Sequence, residues 1–175
     1  MSEYLVLTAM GPDRTGSVSD LTKLASECGC NIIDSRMAIF GLEFTLIMLL
    51  NGTSQAIIQL ENKLPVVAHK LELITMMKRT SGYREQDFVH HYQASYAGID
   101  QPGVLKAVTA FFATRNIDIS SLKSEINQQN NHMSAAILIA LTQETSIEQL
   151  ESDFVQLCEQ FDVQGCIKKV QSNLF

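Results

Sequence analysis

The chain has 175 residues, 46% of them hydrophobic and 18% charged, with a net charge of −6 at pH 7 and no Trp. That balance suits a water-soluble globular protein and opposes direct nucleic-acid binding, which relies on clustered Lys and Arg to displace counterions from phosphate. No basic, apolar, small-residue order marks a signal peptide, and no run approaches the roughly 20 apolar residues of a membrane span, so a cytoplasmic protein is expected.

Residues 3–10 are apolar and β-prone and predict a first strand, ended by the turn chemistry of Gly11-Pro12-Asp13. After Gly16, the residues Val18, Leu21, Leu24, Ala25 and Cys28 fall on one helix face, and Gly29 supplies a left-handed stop. Strands over 31–38 and 42–50 follow, with Phe40-Gly41 suited to a tight hairpin between them. Both faces of 43–50 are nearly apolar, which marks a central strand whose second face is not fully exposed to water. Ile57, Leu60 and Leu64 then define a second helix that Pro65 should interrupt, leaving a short turn over 66–71 and a closing strand over 72–80. The polar stretch 81–87 carries a Gly and reads as a linker.

The second half repeats the first. Gly16 and Gly103 stand 87 positions apart, and the same shift carries Asp13 to Asp100, Leu21 to Val108, Leu24 to Phe111 and Ile32 to Ile119 without a gap. Asn116, the next-best residue for a left-handed stop, takes the place of Gly29. Strands are expected over 118–127 and 133–141, joined by the polar loop 128–132, where the copies differ most. Ile147, Leu150, Phe154, Leu157, Cys158 and Phe161 line the last helix, capped by Thr145 or Ser146, and 166–171 closes the unit. Each unit, 1–80 and 88–175, thus reads strand, helix, strand, strand, helix, strand. Right-handed crossovers turn that order into an α+β ferredoxin-like domain, a four-stranded antiparallel sheet with two helices on one face. The uncovered sheet faces or edges are expected to pack together within the chain or in a homodimer.

Catalytic motifs are missing: there is no Gly-x-Ser-x-Gly elbow, no P-loop, no His-Glu-x-x-His and no Gly-x-Gly-x-x-Gly after a strand, and no enzyme is expected. Cys28, Cys30, Cys158 and Cys166 lack metal-ligand spacing and read as structural filler; His90 and His91 on one strand point to opposite faces and cannot share an ion. Lys78-Arg79 and Lys168-Lys169 read as solvated strand ends. The feature with chemical content is Gly11-Pro-Asp-Arg-Thr-Gly16, which leads from a strand into a helix N-terminus. Free backbone N–H groups there suit a carboxylate, Asp13 suits an ammonium group and Arg14 can clamp a carboxylate, so the loop matches an amino-acid zwitterion. The alternative is that Asp13 or Thr15 merely caps the helix while Arg14 points into water.

The first strand, the Asp-x-x-Gly loop, the helix ending near Gly29 with Asn31-Ile32 after it, and the βαββαβ order resemble the ACT domain, a small-molecule-sensing module of amino-acid metabolism. Two such modules fill nearly the whole chain with no enzymatic or DNA-binding domain attached. With the Gly11–Gly16 hexapeptide, a loop type also seen in formyltetrahydrofolate deformylases, the chain resembles the tandem-ACT transcriptional repressor family of the glycine cleavage system. The resemblance implies a cytoplasmic accessory regulator, without cofactor or metal, that represses glycine cleavage genes by binding a LysR-type activator protein instead of DNA. A small amino acid, glycine, relieves that repression. It also implies a ligand beside the first loop, touching Asp13, Arg14, Thr15 and Gly16, with Asn31 a weaker candidate. The second-copy equivalents are Asp100, Gln101, Pro102, Gly103 and Asp118; lacking the Arg, that loop either binds differently, through Gln101 and the helix N-terminus, or serves as a structural partner. An ACT-type regulatory subunit that controls a metabolic enzyme is the alternative reading.

Overall fold

Leu5, Leu7 and Ala9 are fully buried while their neighbours are not, because strand β1 (Ser2–Pro12) turns alternate residues toward a helix layer. The computed structural model describes residues 2–81, 90–141 and 145–170. Of the linker expected at 81–87, only Ser81 is among them. The chain divides into two compact units, Met1–Glu85 and Gln86–Phe175.

In the first unit β1 is followed by α1 (Ser17–Glu27), β2 (Asn31–Phe40), β3 (Glu43–Thr53), α2 (Ser54–Lys70) and β4 (Ile74–Thr80). The sheet is antiparallel in the order β2-β3-β1-β4. The nearly all-apolar β3 is an inner strand, as its composition requires. Phe44, Leu46, Met48 and Leu50 face the helices and are buried; on the outer face Thr45 and Leu49 are half-buried, whereas Ile47 is 47% exposed. Leu21, Leu24, Ile57, Leu60 and Leu64 complete the core from the two helices. Each such side chain contributes roughly 1.5–3 kcal/mol when fully buried.

The second unit runs β5 (His90–Ile99), α3 (Val104–Ala113), β6 (Ile119–Asn127), β7 (His132–Leu141), α4 (Ile147–Glu159) and β8 (Val163–Val170), in sheet order β6-β7-β5-β8. It repeats the first unit's topology around a different filling. Phe111 and Phe112 from α3 each meet Phe154 from α4 at a ring centroid separation of 5.7 Å and each other at 5.2 Å. Ser146 caps α4 by accepting from the Gln149 N–H, while Phe161 lies beyond the helix but still packs on the core. Gly29 and Asn116 adopt the left-handed stop in their copies, and the N–H of the residue after each, Cys30 or Ile117, bonds back to Ala25 O or Phe112 O.

One expectation fails. Pro65 does not interrupt α2, which is continuous to Lys70. The ring sits on the exposed side, where the Glu61 carbonyl that loses its partner can be hydrated, and Leu64 and Ala68 before and after it are both buried against the same core. Packing of that stripe offsets the roughly 3 kcal/mol that an interior proline costs. The Glu61 side chain adds a clamp: it takes two hydrogen bonds from Arg79 on β4, and that contact holds its carboxyl below the ordinary range. Pro65→Ala is therefore expected to stabilise the first unit by about 2 kcal/mol, seen as a higher urea midpoint with an unchanged slope; a lower midpoint would mean that the proline is part of the packing.

Candidate functional site

The loop between β1 and α1 is built by two glycines. A Cβ on Gly11 would lie 2.7 Å from Glu72 O and 2.8 Å from a Leu73 methyl, so only glycine lets the end of β1 lie against the start of the β4 segment. Gly98, the counterpart of Gly11 in β5, has the same task, a Cβ there standing 2.7 Å from Val163. Gly16 has open space around it but a φ of 99°, and Gly103 shares that value; this left-handed residue turns the chain from the loop into the helix.

Gly16 occupies the N-cap position of α1, where it provides no side-chain cap. The capping alternative for Asp13 and Thr15 is therefore not realised: both are exposed, and neither makes a side-chain hydrogen bond to the helix. Instead the Ser17 N–H donates to Arg14 O at 3.2 Å and the Asp20 N–H to Gly16 O at 2.9 Å. Val18 and Ser19 remain as first-turn N–H groups without an intrahelical acceptor. The Asp13 N–H donates to Leu42 O at 3.0 Å, which ties the loop to the tip of the β2–β3 hairpin.

Arg14 points neither into water alone nor at an empty space. Its guanidinium is paired with Glu72, at 2.5 Å, with both side chains about half exposed. Such a pair is worth about 0.2–1 kcal/mol, so a ligand carboxylate can compete for the guanidinium or share its remaining donors. Glu72 itself has a φ of 58°, an uncommon left-handed conformation for a residue with a Cβ. The loop therefore gathers Asp13, Glu72 and Arg14, a net charge of −1, beside the positive end of the α1 dipole.

Asn31 does not join this group within the unit. It begins β2 and pairs with Asn51, which pairs with Tyr4, whereas the loop follows the row Pro12, Glu43, Phe40 at the other end of the sheet. Eight residues of strand separate the rows, about 26 Å. Asp118 stands at the corresponding far end of the second sheet, beside an open depression of about 580 Å³ lined in part by Asn116 and Ile117. In the second loop Asp100 donates its N–H to Asn131 O at 2.9 Å, Gln101 Nε2 donates to Phe161 O at 3.1 Å, and Pro102 and Gly103 are exposed. Gln101 and Arg14 thus do the same thing, bridging the loop to the chain after the second helix, one with an amide and the other with a cation.

Residues missed from sequence are Glu72, 58 positions from Arg14, and Ser17. Ser17 is 3% exposed and its hydroxyl finds no partner among the described residues, while its counterpart Val104 is a core residue, 1% exposed. The comparison of Ser17 with Val104 was available from the repeat; nothing in the sequence pointed to Glu72.

The thiols are free: Cys28, Cys30 and Cys158 are buried, with burial pushing Cys30 up and Cys158 up to about 11, which makes both poor thiolates. Among the described residues no group of three or more His, Cys, Asp or Glu side chains is placed to hold a metal, and no helix is long and apolar enough to cross a membrane.

Comparison with known proteins gives this duplicated fold a family. Residues 3–78 match the ACT domain family model. The Glycine cleavage system transcriptional repressor of Escherichia coli (strain K12) is 36% identical over 171 residues, which are 95% of this chain and 90% of that protein. The chain belongs to the ACT-domain family of glycine cleavage system transcriptional repressors. A crystal structure described as a candidate member of that repressor family is 37% identical, covers 98% of this chain and 99% of its own, and superposes with a TM-score of 0.80. An unassigned protein from Galdieria sulphuraria, 22% identical, shares the fold over 98% of this chain and all of its own, with a TM-score of 0.76.

Ser17→Val is expected to stabilise the first unit by about 1 kcal/mol, because it removes an orphaned buried hydroxyl at a position where the second copy already accommodates valine. A thermal melt checks this; destabilisation would show that the hydroxyl has a buried partner such as water.

Proposed function

We propose that this protein is a glycine-responsive repressor that acts on glycine cleavage genes by binding a LysR-type activator protein, not DNA. The observation that carries the reading is the 36% identity with the Escherichia coli repressor across 95% of the chain, with both units present. The net charge of −6 supports a protein partner, since a DNA duplex would repel such a surface.

The ligand site in this reading is the first loop, Asp13–Gly16. The ligand's carboxylate meets the Val18 and Ser19 N–H groups and a share of Arg14, and its ammonium group meets Asp13, with Glu72 as a second counter-charge. Asn31 is left out on the geometry above. Glycine has few heavy atoms, and a ceiling of about 1.5 kcal/mol per atom puts its dissociation constant at roughly 10 μM to 1 mM. Such a ligand shifts a two-state equilibrium by about 1–3 kcal/mol, enough to release a balanced partner contact but not to unfold the protein. The second copy, with Gln101 committed to Phe161, acts as scaffold.

Isothermal titration of the full chain tests this. Saturable glycine binding in the stated range is expected, weakened about 10-fold or more by Asp13→Asn, which removes the ammonium's counter-charge. Arg14→Ala should cost less, because it also frees Glu72 for the ammonium. No saturable heat up to about 10 mM glycine would exclude the sensor role.

A further inference from the structure

The two copies share a backbone plan and differ sharply on one surface. At the β2–β3 tip Leu42 is 86% and Phe40 68% exposed, and beside them on the outer sheet face Ile74 is 70%, Met76 67%, Ile47 47% and Met10 46% exposed. The strand registers make these one patch: Met10 opposes Ile74, Thr8 lies between Ile47 and Met76, and Phe40 opposes Glu43 at the end of the same face. The second copy has Ala97 for Met10, Gln164 for Ile74, Cys166 for Met76, Ala136 for Ile47 and Asn127 for Phe40 at the matching pairings, and its tip is Gln128-Gln-Asn-Asn-His132. An identical topology folds with small and polar residues there, so the large apolar side chains of the first unit are not a requirement of the fold. Exposed apolar patches of this kind mark interaction surfaces.

We propose that the Phe40–Leu42 tip and the adjoining outer face of the first sheet form the docking surface for a protein partner that offers an apolar pocket rimmed by Lys or Arg. This deepens the function proposed above and rests on that reading for the partner's identity. Charge decides the occupant. Asp13 and Glu43 flank the tip, both exposed and without an ion pair among the described residues, while Arg14–Glu72 and Arg36–Asp34 cancel and the exposed Lys78 lies beyond Met76, toward the opposite end of the face. Carboxylates at the rim, on a chain of net charge −6, are repelled by an anionic lipid surface. A second copy docking tip to tip would set the same carboxylates against each other. A basic-rimmed protein pocket satisfies both the apolar centre and the acidic border. The surface is also wired to the ligand loop, since the Leu42 carbonyl accepts the Asp13 N–H. A zwitterion held at Asp13 therefore acts one hydrogen bond away from the docked side chain.

The test uses the full chain with a photo-crosslinking amino acid at Leu42 or, in the polar tip of the second copy, at Gln129, followed by mass spectrometry of the joined peptides. In parallel, partner affinity is measured for the Phe40→Ser/Leu42→Ser double variant, whose melting temperature and glycine titration should match the wild type because both side chains are exposed. The expected result is a crosslink from position 42, not 129, to a protein segment in an apolar pocket bordered by basic residues, and a partner affinity at least 10-fold weaker in the double variant. If that protein is not a LysR-type activator, the partner named above is wrong while the surface stands. If the activator binds the double variant as tightly as the wild type, or if position 42 joins only lipid, only a second copy, or nothing, the docking surface is refuted while the partner reading stands.

Discussion

Much of each unit depends on how closely the end of its first strand lies against the start of its last. Gly11 and Gly98 have no Cβ because Glu72 and Leu73, or Val163, occupy that space. The contact lies at the end of the β1–β4 and β5–β8 pairings, where the chain leaves the sheet before each first helix. In the first unit it also brings Glu72, in its left-handed conformation, within reach of Arg14. A loop that would otherwise be a solvated turn becomes a small charged cluster at a helix N-terminus.

Much of the fold was legible in the residues. The register between Gly16 and Gly103 disclosed the duplication, the stops at Gly29 and Asn116 held, and the apolar composition of 43–50 marked an inner strand. Pro65 misled because a local rule was applied without its context: a proline on the exposed side of a helix is tolerated when Leu64 and Ala68 anchor the turns on either side. The site was less legible. Asp13, Arg14 and Gly16 are contiguous and visible, but the carboxylate that meets Arg14 comes from 58 residues away, and Asn31 belongs to the far end of the sheet. Pairing of that kind is a consequence of tertiary structure and leaves no trace in spacing.

Duplication also supplies a control that a single domain lacks. Where both copies keep a residue type, as at Gly11 and Gly98 or Gly16 and Gly103, backbone geometry explains it. Where they diverge, the fold has released the position: Arg14 corresponds to Gln101, and both bridge to the chain after the second helix, Ser17 corresponds to Val104, and the apolar first tip corresponds to a polar second one. These three divergences lie around the first loop and the hairpin bonded to it, where the proposed ligand and partner would influence each other through the Asp13 to Leu42 hydrogen bond.

Amide hydrogen exchange followed by NMR, with and without saturating glycine, examines that linkage at its own atoms. Slower exchange is expected at Asp13, Val18 and Ser19 together with altered shifts at Phe40 and Leu42, while Asp100 and the tip at 128–132 stay unchanged. Equal effects in both copies, or glycine binding that leaves the first loop and its hairpin untouched, would contradict a sensor built on the first unit alone.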